Sequence, residues 1–197
     1  MIKDGFTINE CDKCVYTKTI EDVCIIACLY VDDLLIFETN IEVIKSSKKM
    51  LSNNFDMKDL GVAYVILKIK ISRTPDGINL SQSHYVDKMI KKFKKYGIKG
   101  NTNFFLSYTH LYRNTGIGRR QLEYYQIIEN LMCLMNYTRL DIAYTVNKLS
   151  RYTNNPSDDH WTVLLRVVGY LKNTKEYALR NEKYPLYLKG AVMQTGL

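Results

Sequence analysis

Two short apolar runs dominate the pattern of the chain, Val23–Leu29 and Leu34–Phe37, and the four residues Tyr30–Asp33 lie between them. Apolar runs of this length that flank a few turn-tolerant residues are typical of two paired β-strands. The pattern predicts a β-hairpin whose tip carries two adjacent carboxylates, those of Asp32 and Asp33.

Further elements are predicted in the first half of the chain. Apolar residues at helical spacing predict a helix over Glu42–Asn53, capped by Thr39 or Asn40. Residues Val65–Ser72 alternate between apolar and polar side chains, which predicts a half-buried strand. The hairpin partner of this strand is predicted at Ile78–Gln82, beyond a turn that contains Pro and Gly.

The second half of the chain is predicted to be mainly helical. A helix capped by Ser83 and running to about Tyr96 leads into a glycine- and asparagine-rich loop over residues 97–118. Three more helices are predicted: Gln121–Met135, one from a capping box of Thr138 and Asp141 to about Tyr152, and one that begins at Ser157. A short strand is predicted at Leu186–Leu188. The predicted fold class is α+β, with an antiparallel sheet built from two hairpins, flanking helices and a helical segment after them.

The charge of the chain favours a polyanionic partner. It has 28 basic and 20 acidic side chains, a formal net charge of +8 and a pI near 9.1. Lysines are concentrated between residues 88 and 99, at positions 88, 91, 92, 94, 95 and 99. Two interpretations stay open: an ordinary solvated helix face, or a surface on which Lys88, Lys91, Lys92 and Lys95 contact nucleic-acid phosphates.

Cysteine usage and hydropathy indicate a reducing, intracellular compartment. The chain has five cysteines, no secretory signal and no apolar run of about 20 residues, so no membrane contact is expected. The spacing of Cys11, Cys14, Cys24 and Cys28 allows a zinc site, because four thiolates can complete a tetrahedral site. The position of Cys24 and Cys28 inside an apolar run favours the alternative, in which they are small buried hydrophobic residues.

The carboxylates of Asp32 and Asp33 also have two interpretations. Asp is a favourable turn residue in many hairpins. Adjacent carboxylates also suit Mg²⁺, which takes oxygen ligands and is commonly held by one or two carboxylates together with substrate phosphates.

The motif Tyr30-Val31-Asp32-Asp33 is followed by Phe55-Asp56-Met57-Lys58-Asp59-Leu60-Gly61, and this arrangement resembles the reverse transcriptase of copia-type LTR retrotransposons. Other blocks of that family occur in the same order over roughly residues 5–190: Gly5-Phe6, residues 9–16, residues 80–86, residues 138–144, residues 149–152, His160-Trp161, and Arg166-Val167 with Tyr170-Leu171-Lys172.

The resemblance implies an RNA-directed DNA polymerase with an RNA template and a DNA primer as partners. It implies Mg²⁺, or Mn²⁺ as a substitute, and no small-molecule cofactor. It also implies that Asp32 and Asp33 are catalytic metal ligands and that Tyr30 and Val31 border the primer. The sheet would then be palm-like, and the lysines from Lys88 onward would follow the duplex backbone.

The same resemblance implies a division of the chain into functional regions. These are a partial palm over residues 1–96, a linker over 97–118, a helical connection or thumb-like segment over 119–173, and a tail over 174–197 before a missing ribonuclease H domain. It implies no oligomeric state.

The chain departs from the family pattern at several positions. Lys68 stands where the family has Gly, in a strand tied to primer positioning, and Leu140 stands where it has Pro. Residues Ala191–Leu197 match no part of the pattern, as after a frameshift or a premature stop. The other catalytic aspartate of the family and its nucleotide-binding fingers are expected before Met1.

We therefore expect little or no polymerase activity from this chain alone. One alternative is a non-catalytic, basic remnant that binds nucleic acid through its lysine-rich helix. Another is a misfolded product, because a palm sheet without its opening strands has an unpaired edge that favours aggregation.

Overall fold

The structure is a computed structural model of the chain that describes residues 1–20, 23–38, 40–102 and 111–182, together with the backbone of residues 189–195. The fold is α+β, as predicted, with two antiparallel sheets and five α-helices among the described residues. None of the described helices combines the length and the apolar character that a membrane span requires.

The strands are β1 (Thr7–Ile8), β2 (Val15–Ile20), β3 (Val23–Tyr30), β4 (Asp33–Glu38), β5 (Met57–Val62), β6 (Val65–Ile66), β7 (Ile69–Thr74), β8 (Gly77–Ser81), β9 (Ala178–Glu182) and β10 (Lys189–Thr195). The helices are α1 (Ile41–Asn54), α2 (Ser83–Lys92), α3 (Gln121–Tyr137), α4 (Ala143–Ser150) and α5 (Asp158–Asn173), with short 3-10 turns at Ile2–Asp4, Lys94–Tyr96 and Leu140–Ile142.

The chain divides into two compact units, one of residues 1–64 with the segment from Glu182, and one of Val65–Asn181. These boundaries differ from those of the predicted functional regions. Val86, Met89 and Phe93, from the region predicted as palm, share an apolar core with α3 and α5. The functional division stays a prediction.

The first unit is built on a six-stranded sheet with the order β1-β2-β3-β4-β10-β5. Alternate residues of β3 and β4 face the interior, and Ile25, Ala27, Leu34 and Ile36 are at most 1% exposed. Leu51 of α1 belongs to the same apolar cluster. Because the β3–β4 hairpin and α1 each bury one regular face, their hydrophobic periodicity was visible in the sequence.

Helix α1 begins where the sequence predicts it. Asn40 is its N-cap, and the side-chain oxygen of Asn40 accepts a hydrogen bond from the Glu42 amide at 2.9 Å. This bond satisfies one of the free N–H groups of the first turn. Thr39, the alternative cap, lies outside the described residues.

The second unit combines a four-stranded sheet of order β6-β7-β8-β9 with a larger apolar core. Tyr124, Leu131 and Leu164, from α3 and α5, are fully buried in this core. The predicted start of α5 at Ser157 is confirmed by a reciprocal capping box, in which Ser157 and His160 each accept a hydrogen bond from the other's amide.

The prediction of one continuous strand over Val65–Ser72 was wrong. The strand is interrupted by Leu67 and Lys68, which have φ values of 50° and 67° and join β6 to β7 as a two-residue turn. Positive φ at both central residues is the geometry of a tight hairpin turn that favours Asn-Gly. Neither Leu67 nor Lys68 is a residue that favours turns. The alternation of apolar and polar side chains over Val65–Ser72 therefore gave no sign of the interruption.

The predicted capping box at Thr138 was also wrong. Thr138 follows the end of α3, and its hydroxyl donates to the Oε1 atom of Gln82 at 2.7 Å. Helix α4 starts five residues later, at Ala143, after a 3-10 turn. The Thr138 side chain, which the local pattern assigned to a helix cap, therefore forms a tertiary hydrogen bond with Gln82 instead. Gln82, rather than Ser83, is the N-cap of α2.

Two further predictions depend on partly described segments. Residues 97–102 and 111–118 contain no helix or strand, in agreement with the predicted loop, and the residues between them lie outside the described part of the chain. The strand predicted at residues 186–188 also lies outside it.

Replacement of Lys68 by Gly should stabilise the chain. An L-residue in the left-handed region costs roughly 1–2 kcal/mol, against about 0.5–1 kcal/mol for the contact of the Lys68 Nζ atom with a ring. That ring belongs to Tyr85 and lies 5.0 Å from Nζ. We expect the free energy of unfolding of Lys68→Gly to rise by about 0.5–1 kcal/mol in urea titrations.

Lys70→Gly is the matched control, since Lys70 is also exposed but lies within β7. Glycine inside a strand destabilises by roughly 0.5–1 kcal/mol, so this variant should unfold at lower urea. Equal destabilisation by both substitutions would contradict the assignment of Lys68 to a strained turn.

Candidate functional site

The acidic turn lies between two strands that are fixed in register. Strands β3 and β4 pair antiparallel with Leu29 opposite Leu34 and Tyr30 opposite Asp33, which leaves Val31 and Asp32 as the connecting residues. Val31 is 79% exposed, Asp32 is exposed and Asp33 is half-buried. Buried strands therefore present two neighbouring carboxylates to solvent.

The backbone of this turn is strained. Val31 has a φ of 51°, in the left-handed region that glycine favours. A β-branched residue is rare there, and such a conformation costs about 1–3 kcal/mol. Strain of this kind persists only where the surrounding structure imposes it, and it is frequent at functional sites.

The carboxylates of Asp32 and Asp33 are suitable oxygen ligands for a hard cation such as Mg²⁺. Their place at an exposed turn leaves room for the water molecules that Mg²⁺ retains. Among residues 1–20, 23–38, 40–102 and 111–182, no group of three or more His, Cys, Asp or Glu side chains lies close enough to hold a metal ion. The donor set therefore fits part of a magnesium site, with further ligands to come from water or substrate.

The predicted lysine surface is exposed. Lys88, Lys91, Lys92 and Lys95 are exposed on α2 and the turn after it, while Val86 on the same helix is buried. Their spacing of three and four residues places them along one side of a helix. We call these four residues the lysine face.

Two members of the lysine face make contacts within their own unit. Lys95 forms a long ion pair with Glu123 at 3.8 Å, and its side chain is 64% exposed. The Nζ atom of Lys92 lies 5.3 Å from the centre of the Phe93 ring. Lys88 and Lys91 form no ion pair with the described residues. The surface thus keeps most of its positive charge available to a partner.

The cysteines do not form a zinc site in the part of the chain that is described. Cys11, Cys14 and Cys24 are exposed and Cys28 is half-buried. The prediction that Cys24 is a buried hydrophobic residue was wrong, because Ile25 and Ala27 are the residues of β3 that face inward. Burial and the nearby charge of Asp12 raise the pKa of the Cys28 thiol, which keeps this thiol protonated and unreactive near neutral pH.

Arg139, which was not among the predicted site residues, is buried, and its side chain is 2% exposed. Its Nε and Nη2 atoms donate to the two carboxylate oxygens of Asp141 at 3.0 and 2.7 Å. Nη1 and Nη2 also donate to the carbonyl and the hydroxyl of Thr174, at 3.1 and 2.8 Å. The guanidinium lies 5.5 and 5.4 Å from the ring centres of Tyr170 and Tyr177.

The Asp141 carboxylate is stabilised in its charged form by these neighbours. Burial alone would raise the pKa of Asp141, but hydrogen bonds from Arg139 and Tyr170 outweigh it and lower this pKa below its ordinary 3.8. The buried ion pair links the turn after α3 to the end of α5. The sequence assigned Asp141 to a helix cap, although the short Arg-x-Asp spacing was the available signal.

An open cavity of about 560 Å³ lies beside this ion pair, within the second unit. Its lining includes Arg139, Asp141 and Arg180. The guanidinium of Arg139 and the carboxylate of Asp141 already bind each other, and they form no free pair of catalytic groups. We therefore assign the pair a role in stability.

A family model described as "Reverse transcriptase (RNA-dependent DNA polymerase)" matches residues 1–105 of the chain. This match covers more than half of the 197 residues and includes the acidic turn and the lysine face. No solved structure matches the chain.

Three curated relatives extend this result. The chain is 35% identical over 173 residues to the "Retrovirus-related Pol polyprotein from transposon TNT 1-94" of Nicotiana tabacum, which covers 83% of this chain and 13% of the polyprotein. It is 30% identical over 151 residues to the corresponding polyprotein from transposon RE2 of Arabidopsis thaliana, with 77% and 10% covered. A putative transposon Ty5-1 protein of Saccharomyces cerevisiae is 29% identical over 180 residues, with 90% and 58% covered.

The chain thus spans about a tenth of the two plant polyproteins and somewhat more than half of the yeast protein. The family match and these similarities agree with the resemblance that the sequence motifs carried. The chain belongs to the reverse transcriptase (RNA-dependent DNA polymerase) family, among the Pol polyproteins of copia-type retrotransposons.

Proposed function

We propose that the first compact unit is the part of a polymerase palm that presents the metal-binding carboxylates. The observation that carries this proposal is the strained, exposed turn at Val31 and Asp32 in a chain of the reverse transcriptase family. The functional regions proposed with it are the palm over residues 1–96, the linker over 97–118, the helical connection over 119–173 and the tail over 174–197.

In this proposal Asp32 and Asp33 hold Mg²⁺, for which Mn²⁺ can substitute. Bound divalent ions supply activation of the primer hydroxyl and neutralise the charge of the triphosphate. The chain's own contribution is to hold the two carboxylates at a rigid turn, with Asp33 fixed by its pairing with Tyr30. Tyr30, which is 49% exposed, and Val31 then form the border against the primer end.

We further propose that this chain alone has little or no polymerase activity. A two-metal reaction requires several carboxylates that are preorganised around the reacting oxygens. The described residues bring together only the adjacent pair at the turn. Such a partial ligand set binds a cation weakly and positions it poorly.

Primer extension on an RNA template tests this proposal. The purified chain should incorporate no more nucleotide than Asp32→Asn, with either Mg²⁺ or Mn²⁺ in the buffer. Incorporation by the unmodified chain that is lost in Asp32→Asn would contradict the proposed inactivity, and it would show that the site is complete. Glu42→Gln, at an exposed position at the start of α1 beyond the far end of β4, is the control for the loss of one acidic charge.

A second candidate function is non-catalytic binding of nucleic acid by the lysine face. The specific observation is the exposure of Lys88, Lys91, Lys92 and Lys95 on one side of α2 and the turn after it. Lysine contacts with phosphates release condensed counterions, so binding of this kind weakens steeply as salt increases.

Replacement of two members of the lysine face should therefore reduce both affinity and salt dependence. We expect Lys88→Gln with Lys91→Gln to lower the slope of log K against log salt by about 1–2, as measured by fluorescence anisotropy with a labelled RNA–DNA duplex. Lys49→Gln with Lys70→Gln removes the same charge from exposed positions on α1 and β7 and is the control. Equal slopes for the two double variants would exclude the lysine face as the contact surface.

A further inference from the structure

A buried histidine, His160, lies in the first turn of α5, and its exposed fraction is 0%. Its ring stacks on the ring of Tyr152, with the two centres 4.0 Å apart and an angle of 19° between the planes. Tyr152 belongs to the turn between α4 and α5, and it presents the face of its ring to the imidazole. The imidazole is therefore shielded from solvent.

The hydrogen bonds of this ring determine where its proton lies. The Ser157 amide donates to the Nδ1 atom of His160 at 2.9 Å. A backbone N–H group can only donate, so Nδ1 is the nitrogen without a proton. The ring is therefore neutral, with its proton on Nε2. The Ser157 hydroxyl also lies 2.9 Å from Nδ1.

The loop of residues 111–119 is attached to the residues around the imidazole. At one end of the loop, the Leu111 carbonyl accepts a hydrogen bond from the Tyr152 hydroxyl at 2.9 Å. At the other end, the Arg119 carbonyl accepts a hydrogen bond from the indole N–H of Trp161 at 2.9 Å. Both ends of the loop thus depend on residues that stack on the buried ring or follow it directly in the chain.

The charges and dipoles around His160 act on it in opposite directions. Burial lowers the pKa of His160 below its ordinary 6.5, and it outweighs the charge of Asp159 and the backbone of Tyr112, which raise this pKa. Asp158, the other acidic residue of the first turn, forms an ion pair with Arg119 at 3.4 Å. Folding therefore favours the neutral ring.

Acid changes the hydrogen bond at the start of α5. A second proton on the ring must go to Nδ1, where it meets the N–H group of Ser157 at a distance that suits only a donor and an acceptor. The amide then loses its acceptor, and a positive charge is buried. Both costs are relieved when the first turn of α5 opens and water reaches the ring.

The sign of the effect on stability follows from the lowered pKa. The stability that depends on the neutral His160 ring is complete above pH 6.5, the ordinary pKa of the unfolded chain. It is lost as the pH falls from that value through the lowered pKa of the folded chain.

From these observations we propose that His160 is a pH-sensitive switch that holds the loop of residues 111–119 against the start of α5. The switch is closed while the imidazole is neutral. When Nδ1 takes a proton from solution, the capping box with Ser157 opens and the loop is released. The switch needs neither a metal nor nucleic acid, so it is independent of the proposed function.

The fluorescence of Trp161 tests the proposal, because this residue is the only tryptophan of the chain. Its side chain is 8% exposed, and release of the loop should shift its emission to longer wavelength. We expect the shift as the pH falls below 6.5, with an opening constant that rises by up to about tenfold for each pH unit, since one proton is taken up. Amide exchange in residues 111–119, corrected for its intrinsic dependence on pH, should rise in parallel, with a smaller change in α3.

Replacement of His160 by Gln should abolish the transition. Glutamine at this position of a capping box can accept the Ser157 amide, but it does not titrate. His84→Gln is the matched control, since His84 is exposed on α2, and this variant should keep the transition of the unmodified chain. A transition that persists in His160→Gln, or that is absent from the unmodified chain, overturns the proposal.

A second measurement applies even if His160→Gln does not fold. The NMR signals of the His160 ring in the unmodified chain should titrate at the same pH as the emission of Trp161. Titration of the ring without a change in Trp161 or in the exchange of residues 111–119 overturns the proposal. Equal acceleration of exchange in α3 and in the loop would mean that acid unfolds the whole unit, and it would also overturn the switch.

Discussion

The packing of the two buried strands β3 and β4 imposes the conformation of the acidic turn between them. Val31 is held at a φ of 51°, at a cost of about 1–3 kcal/mol. Behind the turn, Ile25, Ala27, Leu34 and Ile36 are almost completely buried. Each larger aliphatic side chain among them stabilises the fold by about 1.5–3 kcal/mol, so the packing of β3 and β4 readily outweighs the strain. The strained conformation of Val31 persists because the register of β3 with β4 and the burial of their inward side chains together determine the turn.

The strands that support the acidic turn are themselves paired with the C-terminal strand, β10. Asp33 pairs with Tyr30 on one side and with Gln194 on the other. The backbone beside the candidate metal ligands is therefore completed by the last strand of the chain. A sheet that closes in this way has fewer exposed edges, which counts against the interpretation of the chain as a misfolded product. It also places an uncharged residue, Gln194, at the register position next to Asp33.

Elements with regular burial were predictable from the sequence. The β3–β4 hairpin and α1 follow one apolar face at a constant period, and the cap at Asn40 is a local side-chain bond. The prediction failed where the cause was not local. Leu67 and Lys68 form a turn without turn-forming residues, and Thr138 bonds to Gln82, which lies 56 positions earlier.

The candidate site shows the same division between local and remote causes. Asp32 and Asp33 were found because a turn between apolar strands is a local pattern. The lysine face was found because exposed positions on a helix recur at a fixed spacing. The pairing of β10 between β4 and β5 could not be predicted, since no local feature of Lys189–Thr195 indicates its partners. The inward face of β3 was also uncertain, and Cys24 was assigned to the wrong side of it.

We propose that the turn at Asp32 and Asp33 is a binding site for divalent cations. The most direct test is a Mn²⁺ titration of the isotope-labelled chain, followed by paramagnetic broadening of its amide signals. We expect the signals of residues 30–34 to broaden first, and to be unaffected at the same Mn²⁺ concentration in a chain with Asp32→Asn and Asp33→Asn. Broadening that begins elsewhere in the chain, or that is unchanged in the double variant, would contradict the assignment of the cation site to this turn.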